Sequence, residues 1–561
     1  MVRNLFSTSR KLINNKQSSI LSAAMVITIA SLISALLGFW RERLLVGYFF
    51  ETVELQQQLD AYRVAAKLPE LAFQLLIIGS LSAAFIPVFS KYLKKDKVEA
   101  YLVSSSMINL VLLVFGALSL LIFVWAGPLT KLITSVNFGS EQVSLAANLT
   151  RVMLVAQLFF GVSNFLTGIV QSQQRFLIPA LAPLAHNVGM IAGIVFLTPM
   201  IGIYSVAVGV VIGAFLHLIF QLPLAKNLGF VYKPVMRLKH KGVREMMKLI
   251  PPRTLAISVT QLEFLATGFF ATAMSAGALT IFELAQRLMS APLRVFSVPI
   301  GQASLPFLSA ESDSDHMENF KKLFLDSLHK ILYLALPASA LLLVLRVPLV
   351  RILYGAREFP WSATILTGKT VAILAVGIFA HSANHLLSRS FYALHNTKIP
   401  LLLALVSMVV NITLAGMFTF WFGFGVVGLA MAVTVAAIVQ AVLMMGALSK
   451  LVGGFEPVKA FGPMIKMGSA TVIMGVFLWV PMRLLDQFVF DTTRTVPLVA
   501  LTIIASGLGF AVYLYLSRLM GIEELQSFKE MMHKVGNWRR VLGKSEEVLE
   551  TTSSSQEMRP L

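Results

Sequence analysis

The sequence predicts an all-α polytopic membrane protein with about fourteen transmembrane helices, and three observations support this fold class. Of its 561 residues, 57% are hydrophobic and only 13% are charged, against roughly 45–50% and 25% in an average soluble domain. The mean hydropathy is +0.78. Fourteen spans of about 20 residues would use about 280 residues, half of the chain. This composition disfavours a soluble globular fold and excludes a disordered chain.

The predicted spans are apolar blocks long enough to cross a bilayer as helices. In chain order they cover residues 20–48, 60–90, 104–127, 143–170, 178–197, 201–222, 247–273, 279–307, 328–350, 361–392, 400–420, 427–449, 461–482 and 496–517. The second block differs from the others, because Asp60, Arg63 and Lys67 interrupt its first part.

The first span is predicted to remain attached to a basic N-terminal segment, residues 1–17. The apolar run that follows this segment is too long for a signal peptide and lacks a small-residue cleavage site. The chain contains no cysteine, which excludes a disulfide scaffold, Cys-ligated zinc and thiol chemistry.

The position of the positive charges predicts the orientation. The net charge is +19, and the cations lie mainly between the apolar blocks. With the N-terminus in the cytoplasm, about 29 Lys and Arg lie in inward segments and about six in outward ones. Both termini are therefore predicted to be cytoplasmic, and no nucleic-acid partner is expected. The basic stretch 226–244 is expected to be a solvated linker that touches anionic lipid headgroups.

Internal repeats predict two pseudo-symmetric lobes. The segment Ala84 to Ser90 recurs as Ala303 to Ser309, and Gln171 to Asn187 is echoed by Tyr392 to Asn411. The predicted organisation is an N-terminal segment 1–17, an N-lobe 18–225 with spans one to six, the linker 226–246, a C-lobe 247–450 with spans seven to twelve, two further helices in 461–517, and a cytoplasmic tail 518–561.

Charged residues inside the predicted spans are the candidate site. Each costs about 2.5–3.5 kcal/mol to insert, so it normally faces the protein interior or a water-filled cavity. In the first half they are Arg41, Glu42, Arg43, Asp60, Arg63 and Lys67, and in the second half Arg253, Glu263, Arg287 and Arg294. Helical spacing gives each lobe a cationic stripe.

An uncompensated cluster of arginines predicts an anionic ligand, because guanidinium groups bind phosphate oxygens bidentately. We therefore expect a phosphate-bearing ligand in a central cavity. The alternative is that some of these side chains, Arg43 and Arg63 above all, reach the headgroup region instead. His381 and His385 have a metal-like spacing without a carboxylate and are expected to pack between helices. No nucleophile or acid–base constellation indicates an enzyme.

In this arrangement the chain resembles the MurJ (MviN) lipid II flippases of the multidrug/oligosaccharidyl-lipid/polysaccharide exporter superfamily, over about residues 20–520. The motifs that carry the resemblance are Gly38-Phe-Trp-Arg41-Glu42, Asp60-Ala61 with Lys67-Leu-Pro69, Ser82 to Pro87, Arg175-Phe176 with Pro179 to Pro183 and Asn187, Gln286-Arg287-Leu288, Leu305 to Ser309, and Arg389-Ser-Phe-Tyr392-Ala.

The resemblance implies a function. Members of this family move lipid II, an undecaprenyl-pyrophosphate-linked peptidoglycan precursor, from the inner to the outer leaflet of the bacterial cytoplasmic membrane. It implies that Arg41 and Arg287 bind the diphosphate in a cationic central cavity, reached by alternating access. Asp60 matches a family acid, and Glu42 stands where the family usually has Asp. The family fold has fourteen helices, with a lipid-tail groove formed by the last two, here in 461–517. We expect a monomer that contacts membrane lipids.

Departures from the family pattern concern cavity cations and ion coupling. Ala35 and Phe73 replace two basic residues of the family, and Lys67, Arg63, Arg253 or Arg294 would have to compensate. The family's sodium site usually has an Asp on the seventh helix, where this chain has Thr267. Asn411 lies on the eleventh helix, and Glu263 is a possible substitute. No organic cofactor is expected, and coupling to membrane potential or to Na⁺ remains open.

Two other functions stay open on the sequence alone. One is a different kind of transporter, which is either a drug or cation antiporter of the same superfamily or a flippase for another polyprenyl-linked oligosaccharide. Antiporters usually need buried carboxylates, whereas the cavity candidates here are mainly basic. The other is a membrane scaffold or lipid-processing enzyme, for which no catalytic constellation is visible.

Overall fold

The computed structural model describes residues 20–78, 85–312, 317–355, 359–492 and 494–536, and no strand occurs among them. Several predictions concern residues outside this part: the N-terminal segment 1–17, the helix bend that the glycine at position 79 favours, and most of the tail 518–561. Arg253 lies on a described helix, but its side chain is outside the described set.

The chain divides into two compact units. The first contains residues up to Leu262, with the chain end from Lys534, and the second runs from Glu263 to His533. The helices of the first unit are α1 Ile20–Phe49, α2 Val53–Phe73, α3 Ile86–Leu93, α4 Lys97–Val124, α5 Ala126–Leu132, α6 Ser140–Gln171, α7 Leu177–Ile201 and α8 Tyr204–Asn227. Helix α9, Lys241–Thr272, contains the boundary between the units.

The second unit continues the helical order. Its helices are α10 Ala278–Pro292, α11 Val298–Ala310, α12 Met317–Val344, α13 Arg346–Tyr354, α14 Trp361–Val376, α15 Ile378–Ala393, α16 Lys398–Gly416, α17 Gly425–Leu451, α18 Pro457–Phe488 and α19 Thr495–Leu519. Helix α20, Glu524–Gly536, belongs to this unit up to His533. The predicted all-α class is therefore confirmed for the described residues.

Nine helices in the described part are long and apolar enough to cross a membrane. The pair α14 and α15, bent by 44° at its break, makes a tenth if it crosses as one span. The four predicted spans outside this set correspond to α1, to α2 with α3, to α9, and to α10 with α11. These are the first two spans of each predicted lobe, and they carry the candidate charged residues.

Helices α7 and α8 approach each other through glycines. A Cβ atom on Gly189 would lie 2.5 Å from the Cα of Gly213, and one on Gly193 would lie 2.4 Å from the Cα of Gly209. Small residues at an interface let helix backbones come this close without the hydrophobic effect, which is absent between helices in lipid. The contact positions α7, which carries Asn187.

The second predicted span is interrupted by a π-helical turn in both halves. Gln74–Ile78 follows α2, and Leu293–Ser297 connects α10 to α11. A proline lies near each turn, Pro69 inside α2 and Pro292 at the end of α10. Proline removes a backbone donor, and π turns relieve such defects and often mark functional positions.

The two last membrane helices pack against the second unit's core. Helix α19 contacts α12 through Tyr513, whose hydroxyl donates to the backbone oxygen of Tyr333 at 3.0 Å. Both tyrosines are fully buried, with their ring centroids 5.2 Å apart. Leu525 of α20 is buried in the same cluster. The predicted pair of extra helices thus shares a core with the C-terminal unit.

The glycine contact between α7 and α8 gives a stability prediction. Replacing Gly193→Ala places a methyl group against the backbone of α8, so the helices must separate, and overpacking of this kind costs about 1–3 kcal/mol. We expect a lower Tm of the purified protein in detergent. Gly116→Ala on α4 is the matched control, because a Cβ there meets nothing within 4 Å and Ala is the better helix former. An equal or higher Tm for Gly193→Ala would contradict the proposed close contact.

Candidate functional site

A buried ionic network connects the first two helices. The two terminal nitrogens of Arg41 have different partners: Nη2 donates to Glu42 Oε1 at 2.8 Å, and Nη1 donates to Asn187 Oδ1 at 3.0 Å. The other carboxylate oxygen of Glu42 accepts from Arg63 Nη2 at 2.5 Å. One carboxylate therefore bridges two arginines from different helices.

The local fold brings these residues together. Helix α1 ends at Phe49 and α2 begins at Val53, so the connection between them is short. Thr52 caps α2, its hydroxyl accepting from the amide of Leu55 at 3.3 Å. A connection of this length makes neighbouring helices antiparallel. Glu42, two turns before the end of α1, thus meets Arg63, almost three turns into α2.

Asn187 holds Arg41 from a third helix. Its amide nitrogen donates to the hydroxyl of Ser34 at 3.1 Å, so Asn187 links two positions of α1 to α7. Met190, one turn further along α7, lies with its sulfur 3.3 Å from Arg41 Nη1. The sequence motif contained Asn187, but it was not among the predicted site residues. Its amide side chain, within a predicted apolar helix, was the sequence signal that would have identified Asn187 as a candidate.

The burial of the network corrects two predictions. Glu42 is 1% exposed and Arg63 is 4% exposed, while the Arg41 side chain keeps 13% of its accessible surface. The alternative that Arg63 reaches the headgroup region is wrong, because its side chain is enclosed by protein. The prediction of an uncompensated arginine cluster is also wrong in this half, because Glu42 neutralises one of the two arginines.

The network still has an excess of positive charge. Asp60 and Lys67, the other ionisable candidates on α2, are buried beside Arg63 on one helix. In their ordinary charge states, the three cations Arg41, Arg63 and Lys67 outnumber the two carboxylates by one. Arg41 Nε is buried and has no hydrogen-bond partner within the described part of the chain. A buried donor of this kind is rare and requires an explanation.

The second unit places its arginines around the π-helical turn. Arg287 is half-buried on α10, and Arg294 is exposed within the turn itself. Arg389 of α15 donates to the backbone oxygen of Val298 at 3.0 Å, and a Cβ on Gly301 would lie within 2.3 Å of its Nη1. Arg389 belongs to one of the sequence motifs but was not predicted as a site residue.

The predicted ion-site residues do come together. Asn411 Nδ2 donates to Glu263 Oε1 at 3.0 Å, and the hydroxyl of Thr267 donates to the backbone oxygen of Glu263 at 2.8 Å. Asn411 is 2% exposed, and its Oδ1 has no partner within the described residues. A carboxylate, an amide oxygen and a hydroxyl are oxygen donors of the kind that hard cations prefer.

Comparisons with known proteins concern most of the chain. The family model described as "Lipid II flippase MurJ" matches residues 54–497. The "Probable lipid II flippase MurJ" of Bdellovibrio bacteriovorus is 28% identical over 521 residues, covering 91% of this chain and 97% of that protein. The "Lipid II flippase MurJ" of Burkholderia cenocepacia is 27% identical over 515 residues, covering 89% and 96%.

Solved structures share the fold. A structure titled "Lipid II flippase MurJ, inward closed conformation" superposes with a TM-score of 0.71 at 24% identity, covering 88% of this chain and 98% of its own. An inward-facing multidrug resistance MATE transporter of the MOP superfamily superposes with a TM-score of 0.61 at 14% identity, covering 77% and 98%. The fold similarity therefore extends from MurJ to MATE transporters, in agreement with the superfamily that the sequence resemblance implied.

The carboxylate bridge gives a second prediction. Glu42→Gln leaves two buried arginines without their shared counter-charge, and breaking a buried pair in this way costs about 3–5 kcal/mol. We expect a strong loss of thermal stability or of folded protein in the membrane. Glu245→Gln is the matched control, since its ion pair with Lys91 is half exposed, and such surface pairs contribute about 0–1 kcal/mol. Equal Tm values for the two variants would show that the bridge is not structurally important.

Proposed function

Because the chain belongs to the family of the lipid II flippase MurJ, we propose that it moves lipid II from the inner to the outer leaflet through a cationic cavity. The protein is a multi-pass protein of the bacterial inner membrane, and its family is one of transporters and not of enzymes. Lipid II is the partner implied by the family, and its role in peptidoglycan synthesis follows.

The observation that carries the proposal is the buried network around Arg41. Lipid II presents a diphosphate, which a buried guanidinium can bind. A lipid tail or a neutral sugar would not require a buried guanidinium. The excess positive charge around Glu42 attracts such an anion. The Nε of Arg41, which has no hydrogen-bond partner among the described residues, is a donor suited to a phosphate oxygen. In this proposal Glu42 and Asn187 position the arginine, and Arg41 contacts the substrate.

The second lobe would supply Arg287 to the same diphosphate. Our proposed binding set contains four further basic residues, whose positive charge Asp60 partly offsets. They are Arg63, Lys67, Arg253 and Arg294. Arg63 supports the site through Glu42 in our proposal. The missing family cations, at positions Ala35 and Phe73, would be compensated by this set.

We further propose alternating access by rocking of two six-helix lobes. Bends at Pro69 and Pro87 in the first half and at Pro292 and Pro306 in the second allow the second span of each lobe to change direction. The π-helical turns after α2 and α10 support this, because an irregular helix changes its path at low cost.

The finer topology is part of the same proposal. We expect fourteen spans, which are the ten apolar ones and the four that carry the candidate charged residues. Both termini would face the cytoplasm, as the distribution of Lys and Arg predicts. The last two helices would form the groove for the undecaprenyl tail. We expect one chain to be sufficient for transport.

A related substrate or a different transport mode would use the same fold. A flippase for another polyprenyl-linked oligosaccharide would keep the diphosphate contacts and change those to sugar and peptide. A drug or cation antiporter would need a site of net negative charge for its cationic substrate. The net positive charge of the α1–α2 network argues against the antiporter.

Ion coupling is proposed at Glu263, Thr267 and Asn411. Their oxygens fit a sodium ion in chemistry, and the buried Oδ1 of Asn411 lacks another partner within the described part. A bound cation would supply counter-charge to Glu263 in the low-dielectric interior. Coupling to membrane potential is the alternative, since moving a charged diphosphate across the membrane already responds to the potential.

The proposed function is tested at Arg287. Arg287→Ala should lose most function in a cell depleted of its own flippase, and the purified variant should bind lipid II about tenfold to hundredfold more weakly, the effect of losing a charge-assisted hydrogen bond. Arg287→Lys should recover only part, because an ammonium keeps the charge but lacks the planar fork.

Lys95→Ala is the control for the complementation experiment. Lys95 is exposed in the turn after α3, and its loss should leave function intact. The two variants must be compared at equal abundance in the membrane. If Arg287→Ala complements as well as Lys95→Ala, the proposal that Arg287 of the second lobe binds an anionic substrate is wrong.

The sodium site has its own test, which does not require transport. We expect the Tm of the purified protein to rise in sodium chloride relative to potassium chloride, by the amount that ligand binding adds to stability, about 2.7 kcal/mol at a concentration of 100 times Kd. Glu263→Gln should remove the difference, whereas Glu318→Gln, at an exposed carboxylate of α12, should retain it. A sodium-specific rise that survives Glu263→Gln would place the ion elsewhere.

A further inference from the structure

The linker between α8 and α9 is fastened to a membrane helix. Residues 230–239, here called the linker strap, contain no helix or strand and run beside α4. The amides of Lys233 and Arg237 donate to the hydroxyls of Ser105 and Ser106 at 3.2 and 3.3 Å. The side-chain amide of Asn109 donates to the backbone oxygen of Val235 at 2.9 Å.

Tyrosines fix the strap at two further points. Tyr232 donates its hydroxyl proton to Asn109 Oδ1 at 2.6 Å. Tyr101 donates to the backbone oxygen of Leu228, just before the strap, at 2.7 Å. The polar side chains of α4 therefore satisfy backbone groups of the strap, the condition for irregular chain to lie next to a membrane-spanning helix. Asn109 lies twelve residues into α4, about 18 Å along its axis.

The outward surface of the strap alternates apolar and basic side chains. Val231, Tyr232, Met236 and Leu238 are 63%, 53%, 44% and 41% exposed. The exposed cations between and beside them are Lys226, Lys233, Arg237, Lys239, Lys241 and Arg244. No Asp or Glu occurs from residue 226 to 244. The first acid, Glu245, already pairs with Lys91, and His240 lies 3.0 Å from Glu99.

We propose that the linker strap is a docking surface for the anionic lipid headgroups of the bilayer leaflet that borders it. Its cations would bind the phosphates, and its exposed apolar side chains would enter the boundary between headgroups and acyl chains. Segments with this mixture bind the membrane interface by both effects together. Attachment to α4 presents the side chains in one fixed arrangement and so lowers the entropic cost of binding.

A membrane is favoured over other acidic partners by two features. The strap is joined directly to two membrane helices, α8 and α9, so the bilayer surface is already beside it. Its exposed apolar residues are aliphatic in the main, whereas single-stranded nucleic acid is bound through stacked aromatic side chains. This inference does not depend on which lipid the protein transports.

The test measures amide hydrogen exchange of the full-length protein in nanodiscs. One sample contains phosphatidylcholine alone, and the other contains about one third phosphatidylglycerol, with no lipid II in either. We expect exchange of residues 230–239 to be about tenfold slower in the anionic discs, and the difference to shrink in high salt. Equal exchange in the two kinds of disc overturns the proposal.

Matched variants show whether the cations are responsible. The triple change Lys233→Gln, Arg237→Gln and Lys239→Gln should abolish the protection, while the hydrogen bonds to α4 remain because they use backbone amides. The charge-conserving pair Lys233→Arg and Lys239→Arg should keep it, which separates charge from folding. The control triple Lys450→Gln, Lys459→Gln and Lys466→Gln alters exposed lysines elsewhere and should change nothing.

A competing occupant would be visible in the same experiment. An acidic peptide or a single-stranded oligonucleotide is added to the phosphatidylcholine discs. Protection by either of these, without an effect of phosphatidylglycerol, overturns the lipid assignment. Protection by phosphatidylglycerol that persists in the triple variant also overturns the proposal, because the cations of the strap would then have no part in binding.

Discussion

The carboxylate of Glu42, shared between two arginines, is the interaction on which the first unit depends. A guanidinium buried in a membrane protein requires a counter-charge, and here one acid serves Arg41 from its own helix and Arg63 from the next. The bridge joins α1 to α2, and Asn187 extends it to α7. Because one acid serves two bases, the site is held together and yet stays electropositive. The same arrangement therefore joins the helices and leaves an excess of positive charge.

Charge and helix irregularity occur together in this chain. The first two spans of each predicted lobe carry the candidate charged residues, and in each lobe the second is interrupted by a π-helical turn next to a proline. The remaining spans are apolar. Their irregular points include the break between α14 and α15 and a third π-helical turn, Met417–Trp421, directly after α16. The apolar helices can hold the protein in the bilayer, while the charged helices are stable only through contacts with their neighbours.

Sequence reasoning reached the helical class, the charged spans and the family, because composition, periodicity and motif order record these directly. It did not reach the pairing of the charges. Arg41 and Glu42 are adjacent in sequence, and adjacent residues of a helix do not face each other, so their contact depends on long side chains. Asn187 was overlooked because an amide carries no charge. The linker was expected to be solvated and to touch lipid headgroups, but its attachment to α4 was not predicted: Ser105, Ser106 and Asn109 bind its backbone. These contacts join residues more than a hundred positions apart, which no local pattern reveals.

The glycine pairs between α7 and α8 determine which parts of the first unit can move. With backbone against backbone at Gly193 and Gly209, and again at Gly189 and Gly213, neither helix can slide or roll without a collision. Only two residues connect them. The pair is therefore a rigid hairpin, and α1 is joined to it through Arg41 and Ser34, which both contact Asn187. An acceptor that competed for the Arg41 guanidinium would remove one of the contacts between α1 and this hairpin, while the backbone contact between α7 and α8 would stay intact.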